Sequence, residues 1–565
     1  MKPQLAPIRG LGAAGLNTDV LDFDLPIQAV TTAKNVIFSE GNVRKGIGYS
    51  MLDIAELPEI DGNPERYEAI WFEGWVSRNN NVYLIVVGRD EIHHNEDRVF
   101  VYDAGANTWG DATSDLFPDL GTAYDLAGEW QTTIFGGTVV VNNGLDTPAY
   151  LDLGAEPLTL AYLPGWDDDW VAKVIRSYKD FLIALNMSEG GGSTETNAVR
   201  WSDAAGENSI PQTWVTATDN IAGKTFISSN DGIIVDGAQL NDSFMIYTDR
   251  SAHAMSFIGG TGIMTTRKVF QNGIYSRNAT AAFDTYHLTV GRVGVYTTDG
   301  SRVNHVGKDR VDNDFYSLIS ADENTVDPYL IADQSQKIAA YLFPSAISQG
   351  KLDRALVYNW HTNTYSYQDY QSQAIPLEFI KADFSPIPGE TVKWSNFDNT
   401  DPLTYPPADA GGDTWADFSG IKWSGFREDE VQAILIFLAE DGRFYQAGEQ
   451  FWHRDGGAFE AQVIRTGIDL DDVYQGNTEG LKHIFRILPQ IKGTGTVQFR
   501  FGTSMNPDIG YSWTSYIDYV IGTDYKVDVR LPGGRYLAYE IYSNDSDGFW
   551  QIGGMDLDAR SEGHN

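Results

Sequence analysis

Two short phrases recur along this chain, and they limit its fold more than any other feature. Val101-Tyr102-Asp103, followed by Asn107-Thr108-Trp109, returns as Val357-Tyr358-Asn359 followed by Asn363-Thr364-Tyr365. Each reads as a strand, a polar turn and an aromatic residue that opens the next strand. Val199-Arg200-Trp201-Ser202 returns as Val392-Lys393-Trp394-Ser395 and Ile421-Lys422-Trp423-Ser424. Strand–turn–strand units repeated tens of residues apart point to an array of small sheets, as in a β-propeller. Apolar runs at 82–87, 98–102, 138–141 and 181–185 fit the array. They are bounded by turn signals such as Gly136-Gly137 and Asn142-Asn143-Gly144. Helical periodicity is scarce.

The expected fold is all-β, a β-propeller with an additional C-terminal antiparallel β-sandwich-like domain. Residues 1–55 form an N-terminal arm with β-segments, 56–450 the propeller with loop insertions, and 451–565 the C-terminal β-domain. At ~40–50 residues per blade the middle section holds six to eight blades. The arm is expected to supply a strand that closes the ring of blades and removes a free edge. Polar and proline-bearing stretches at 189–197 and 399–412 read as surface insertions. In the last section, Val497-Gln498-Phe499-Arg500-Phe501 and 525–531 alternate apolar with polar, so one face meets a core and the other water. Gly533-Gly534 then turns the chain into a strand at 535–541.

Charge narrows the partners. Forty basic residues against 78 acidic ones give −38, so the surface repels phosphate backbones at range and argues against binding nucleic acid by charge neutralisation. A conduit for DNA has reason to be acidic, because it must not adhere to its cargo. The chain has no cysteine, which excludes disulfides, thiolate catalysis and cysteine metal sites. Its opening lacks the apolar core of a signal peptide. The longest aliphatic run, 433–439, is one buried strand and no membrane span.

The search for chemistry finds no catalytic, cofactor or metal residues. Gly10 to Gly15 matches a dinucleotide glycine pattern in letters, but no helix pattern follows it. His93-His94 beside Glu96 and Asp97 reads as a solvated hairpin loop without a full ligand set. Asp167-Asp168-Asp169, between Trp166 and Trp170, cannot point three carboxylates one way if extended. Ser543 to Trp550 is similar to an Asp-box turn with its glycine displaced, and is expected to make the hairpin turn before a final strand at Trp550.

Ordered phrases carry a family resemblance. Ala33-Lys34-Asn35-Val36-Ile37-Phe38 through Gly48 comes first, then Ser177-Tyr178-Lys179-Asp180-Phe181-Leu182 leading to Val199-Arg200-Trp201-Ser202-Asp203. Asp242 to Tyr247, Gly273-Ile274 and Val295 to Gly300 follow, and Pro489 to Gly495 with Gly533-Gly534-Arg535-Tyr536 complete the set. In this order the chain resembles the tail nozzle, or packaged-DNA stabilisation, proteins of short-tailed bacteriophages. The resemblance implies a non-enzymatic head-tail connector component of the virion, made in the host cytoplasm. It implies a homohexameric ring below the portal and adaptor, with tail fibres or a needle nearby and genomic DNA passing through without specific binding. Two other readings stay open. One is an extracellular β-propeller that binds or hydrolyses carbohydrate, drawing on 15 Trp and 29 Tyr. The other is a soluble partner-binding scaffold.

Overall fold

Short apolar strands broken by Gly and Asn turns fold here into four-stranded antiparallel meanders. The computed structural model describes residues 4–370, 379–385, 434–470, 480–546 and 548–562, apart from 62, 79–80, 118–122, 127, 191–193, 260–262, 284, 320–327, 335, 349, 440–441, 449–450 and 507–509. Six meanders follow one another in the chain. They begin at Glu68–Val76, Gln131–Phe135, Val171–Tyr178, Ile234–Leu240, Thr280–Ala282 and Tyr329–Asp333. A seventh begins at Phe379–Ser385 and continues through Ile434–Ala439 and Phe444–Gly448. The first strand of each meander packs beside the first strand of the next, and that of the seventh returns to that of the first. The result is a β-propeller with seven blades among the described residues, each first strand facing the axis.

The arm closes the ring. Gly48–Met51 pairs antiparallel with Phe444–Gly448 as the outer strand of blade seven, with Tyr49 opposite Ala447. The ring is thereby held by the two ends of the blade section at once, and the arm supplies the fourth strand of blade seven. Aromatic side chains fill the gap between blades seven and one. Phe72 and Phe444 meet edge-on at 5.6 Å, and Trp109 stacks on Phe444 at 6.1 Å.

The C-terminal section forms two facing sheets, and the arm contributes to both. In one sheet, Phe459–Ile468, Tyr536–Asp545 and Thr496–Ser504 lie side by side, and Thr32–Lys34 joins their edge. Lys34 also pairs with Tyr367, so this sheet is continuous with blade six. In the other, Leu481–Gly493 and Trp550–Glu562 pair along their length, and Gln4–Arg9 and Asn42–Lys45 add to the second of them. Val497, Phe499, Phe501, Ile487, Ile552 and Leu557 bury between the sheets as the alternation requires.

Two expectations change in detail. The stretch 525–531 contributes only Val527–Asp528 as strand, and Tyr525 is 72% exposed. The link from Asp545 to Trp550 joins strands of different sheets, so it is a crossover and no hairpin. Its geometry is set by Lys45, whose buried ammonium donates to the backbone carbonyls of Trp452, Asp545 and Gly548. The phrases at 392–395 and 421–424 and the insertion at 399–412 lie outside the described residues.

Candidate functional site at the propeller axis

Inner strands of a propeller converge, so a polar side chain placed there loses water and must find partners among its neighbours. This chain places one or more such groups on each inner strand or at its start. Lys381 of blade seven donates from Nζ to the carbonyl of Phe72 at 2.5 Å, and lies 3.3 Å from Glu73 Oε2 and 3.4 Å from Asp383 Oδ2. Its ammonium also lies 4.1 Å from the Trp71 ring centroid. Glu73 of blade one accepts from Thr132 Oγ1 of blade two at 2.6 Å. Burial pushes the Glu73 carboxyl above the usual carboxylate range, with Lys381 opposing and Asp383 adding to the effect.

Arg176 of blade three continues the chain of contacts. It donates to the Thr132 carbonyl and Gln131 Oε1, each at 3.3 Å, and grips Asp236 of blade four through two bonds of 2.9 and 3.0 Å. Its Nη2 also reaches Asn278 Oδ1 at 2.7 Å, and the Asn278 N–H donates to Asp236 at 2.8 Å. Leu330 N–H of blade six donates to the Asn278 carbonyl at 2.8 Å. Tyr329 Oη of blade six accepts from Ala382 N–H of blade seven, which returns the circuit to Lys381. A closed belt of hydrogen bonds therefore passes through all seven blades around the axis.

The belt surrounds a cavity of about 370 Å³ that residues of every inner strand line, among them Trp71, Thr132, Arg176, Asp236, Thr280, Tyr329 and Lys381. At about 30 Å³ per water it holds roughly a dozen waters. It is within the size range of small-ligand sites, roughly 300–1,000 Å³. It is far too small for a duplex, whose major groove alone is about 12 Å wide. Each charged group on its wall already has an opposite partner, an arrangement suited to a strut. The sequence reading named none of these residues. Their signal is a charged side chain within the opening strand of a meander, and it becomes visible only once the blades are counted.

The motifs singled out in the sequence lie elsewhere and serve as turns. Asp90 closes the 91–95 turn by accepting from the N–H groups of Ile92, His93 and His94, and its carboxylate lies 2.7 Å from His94 Nδ1. Glu96 and Asp97 are committed to Arg98 and Arg89 at 2.6 and 2.8 Å. Asp167 accepts from the Asp169 N–H in a turn, and Trp166 donates to the Trp170 carbonyl. No group of three His, Asp or Glu arranged for a metal ion occurs among the described residues. Gly10 to Gly15 leads into the short strand Gly15–Leu16. A Cβ on Gly12 would come within 2.3 Å of the Asn42 carbonyl, so that glycine answers to packing. Trp201 is buried and donates to the Ile221 carbonyl at 2.8 Å. No helix among the described residues is long and apolar enough to cross a membrane.

No family model and no curated protein matches the chain. Solved structures resemble it distantly. A chain from a crystal structure of the mitotic checkpoint complex is 10% identical, with a TM-score of 0.34 over 70% of this chain and 96% of that one. A puromycin hydrolase is 10% identical, with a TM-score of 0.32 over 62% of this chain and 55% of the other. Citrobacter koseri AztD is also 10% identical, at a TM-score of 0.28 over 59% and 78%. Likenesses at this level carry no argument about function.

Proposed function

We propose that the chain is a structural, non-enzymatic component of a phage virion tail. In this reading it is a nozzle subunit whose ring extends the portal and adaptor channel, retains packaged DNA and conducts it during ejection. The observation that carries the reading is the axial belt. Each propeller is bound together around its own axis by paired charges that line a cavity too small for a duplex, which suits a rigid wall element, and any conduit must then lie between subunits. The ordered phrases described above supply the family. The acidity of the chain, −38 per copy, suits a bore that phosphates must pass without adhering.

The competing carbohydrate reading needs aromatic faces open to solvent. Of the twelve described tryptophans none is exposed: six are buried and six half-buried. They pack within and between blades: Trp75 stacks on Tyr83 of its own blade at 5.3 Å and donates to the Gly137 carbonyl of blade two at 3.3 Å.

Electron cryo-microscopy of the chain mixed with the portal and adaptor proteins encoded beside it tests the proposal. A ring stacked below the adaptor is the expected outcome. Genes for neither portal nor adaptor in the neighbourhood, together with a clear signal in a reducing-sugar assay or on a glycan array, would overturn it.

A further inference from the structure

The axial cavity has a wall of two kinds. The pairing register slips by one residue just before three of the residues that line it, Trp71, Asp236 and Lys381. Such bulges re-aim side chains, and they concentrate beside binding sites. Blades seven, one, two and three bring Lys381, Glu73, Thr132 and Arg176 to the wall, whereas Ala238, Ala282 and Ile331 give blades four to six apolar surface there. Neither a fully apolar occupant nor one that is polar all round matches both parts.

Two oxygens on this wall have hydrogen bonds unmade. Glu73 accepts from Thr132 and Lys381 through Oε2, and no group among the described residues donates to its Oε1. The Thr280 hydroxyl is buried and has no hydrogen-bond partner among the described residues. Buried polar atoms are rarely left so, and each calls for an explanation. Blades one and five stand three apart, as far as a ring of seven permits, so a molecule in the cavity meets one unmet group from either side. Three carboxylates, Glu73, Asp236 and Asp383, and two cations, Arg176 and Lys381, line the space. Burial pushes the Glu73 carboxyl toward its neutral form, which brings these charges near balance. A charged occupant then lacks a counter-charge. A hydroxyl both donates and accepts, so it serves Glu73 in either protonation state and Thr280 as well.

We propose that the axial cavity binds one small neutral polyhydroxyl molecule, of the size of a single sugar ring. Its hydroxyl rim meets Glu73 and Thr280, and its C–H faces meet Ala238, Ala282 and Ile331. At about 370 Å³ the cavity lies near the lower end of small-ligand sites, roughly 300–1,000 Å³, which excludes an oligomer. The proposal is narrower than the competing carbohydrate reading: no glycan is held at the surface and no bond is cleaved. It also stands apart from the tail reading, since a wall element keeps its axial cavity whatever it assembles into.

Isothermal titration calorimetry of the full chain with glucose, myo-inositol and glycerol tests it, with butylammonium and acetate as charged probes. At least one polyol is expected to bind with a dissociation constant at or below about 1 mM, and both charged probes about tenfold more weakly or worse. Thr280→Val removes only the unpartnered hydroxyl, and is expected to keep the melting temperature while weakening the polyol about five- to tenfold. Ala282→Phe is expected to fill the cavity and abolish binding, and because Ala282 is exposed the larger side chain leaves the blade core as it is. A wild-type chain that binds no polyol would overturn the site, and tighter binding of a charged probe would overturn the ligand class. Polyol binding that persists unchanged in both variants would seat it elsewhere on the chain and overturn the cavity as its place. None of these outcomes bears on whether a ring forms below the adaptor.

Discussion

The outer hairpins of blades one and six carry the same phrase, and they differ in what lies beyond them. In both, a tyrosine directly faces an aromatic across the strand pair, Tyr102 with Trp109 and Tyr358 with Tyr365, at centroid distances of 5.1 and 4.7 Å. In both, the tyrosine hydroxyl donates to an asparagine of the turn, Asn107 at 2.8 Å and Asn363 at 3.2 Å. Both asparagines are left-handed, at φ 50 and 55°. Asp103 and Asn359 each accept two turn N–H groups through one side-chain oxygen. Beyond that point they diverge. The outer strand of blade one, Thr108–Asp111, ends its sheet, and Trp109 is only half-buried. The outer strand of blade six continues through Thr32–Lys34 into the C-terminal sheet, and Tyr365 is fully buried. One local code therefore builds two hairpins of equal internal geometry and unequal burial, and the N-terminal arm makes the difference.

The largest effect is expected from removing the arm. A chain lacking residues 1–55 loses the closing strand of blade seven, the bridge from blade six and strands of the second C-terminal sheet. Circular dichroism is expected to show no cooperative melt. A truncated chain that melts near the full-length temperature would mean that the bridge to blade six is dispensable.

The axial belt is shared by both blades and serves as a control. Lys381→Met is expected to cost about 3–5 kcal/mol at pH 7, because it strips the cation from a buried carboxylate. Glu73 already holds its proton more tightly folded than unfolded. Stability tied to that proton is gained as pH falls through the folded value, so the deficit should shrink between pH 7 and pH 5. Urea denaturation at both pH values checks this, and a deficit that grows on acidification would contradict the assignment.

Next come the paired aromatics. Tyr365→Ala is expected to cost about 3–5 kcal/mol and Trp109→Ala about half of that, although tryptophan is the larger residue. Equal losses in denaturant titrations would show that the arm adds nothing to blade six. The smallest effect tests what the hairpins share. Asn107→Ala and Asn363→Ala should each cost about 1 kcal/mol, since alanine pays for the left-handed turn that asparagine tolerates. Unequal losses would mean that the turn senses its surroundings.

Much of the fold was legible before any coordinates. The recurrent phrase marks the third and fourth strands of two blades, and the alternation at 497–501 marks a sheet facing a core. Such patterns are readable because they arise between residues a few positions apart. The Ser543 to Trp550 crossover was misread as a hairpin because a turn has the same local residues whether its strands pair or part. The belt was invisible for a related reason. Glu73, Thr132, Arg176, Asp236, Asn278 and Lys381 are ordinary polar residues until seven strands bring them together.

The sequence by itself determined the strands, the turns and the absence of thiol chemistry, because period-two alternation, left-handed asparagines and composition act locally. Only the tertiary structure decided where the ring closes, which hairpin is buried and how charges pair on the axis. Those outcomes depend on contacts across some 300 to 400 residues, such as Lys381 with Glu73 and Tyr49 with Ala447. In such contacts desolvation and geometry outweigh any preference a segment carries alone.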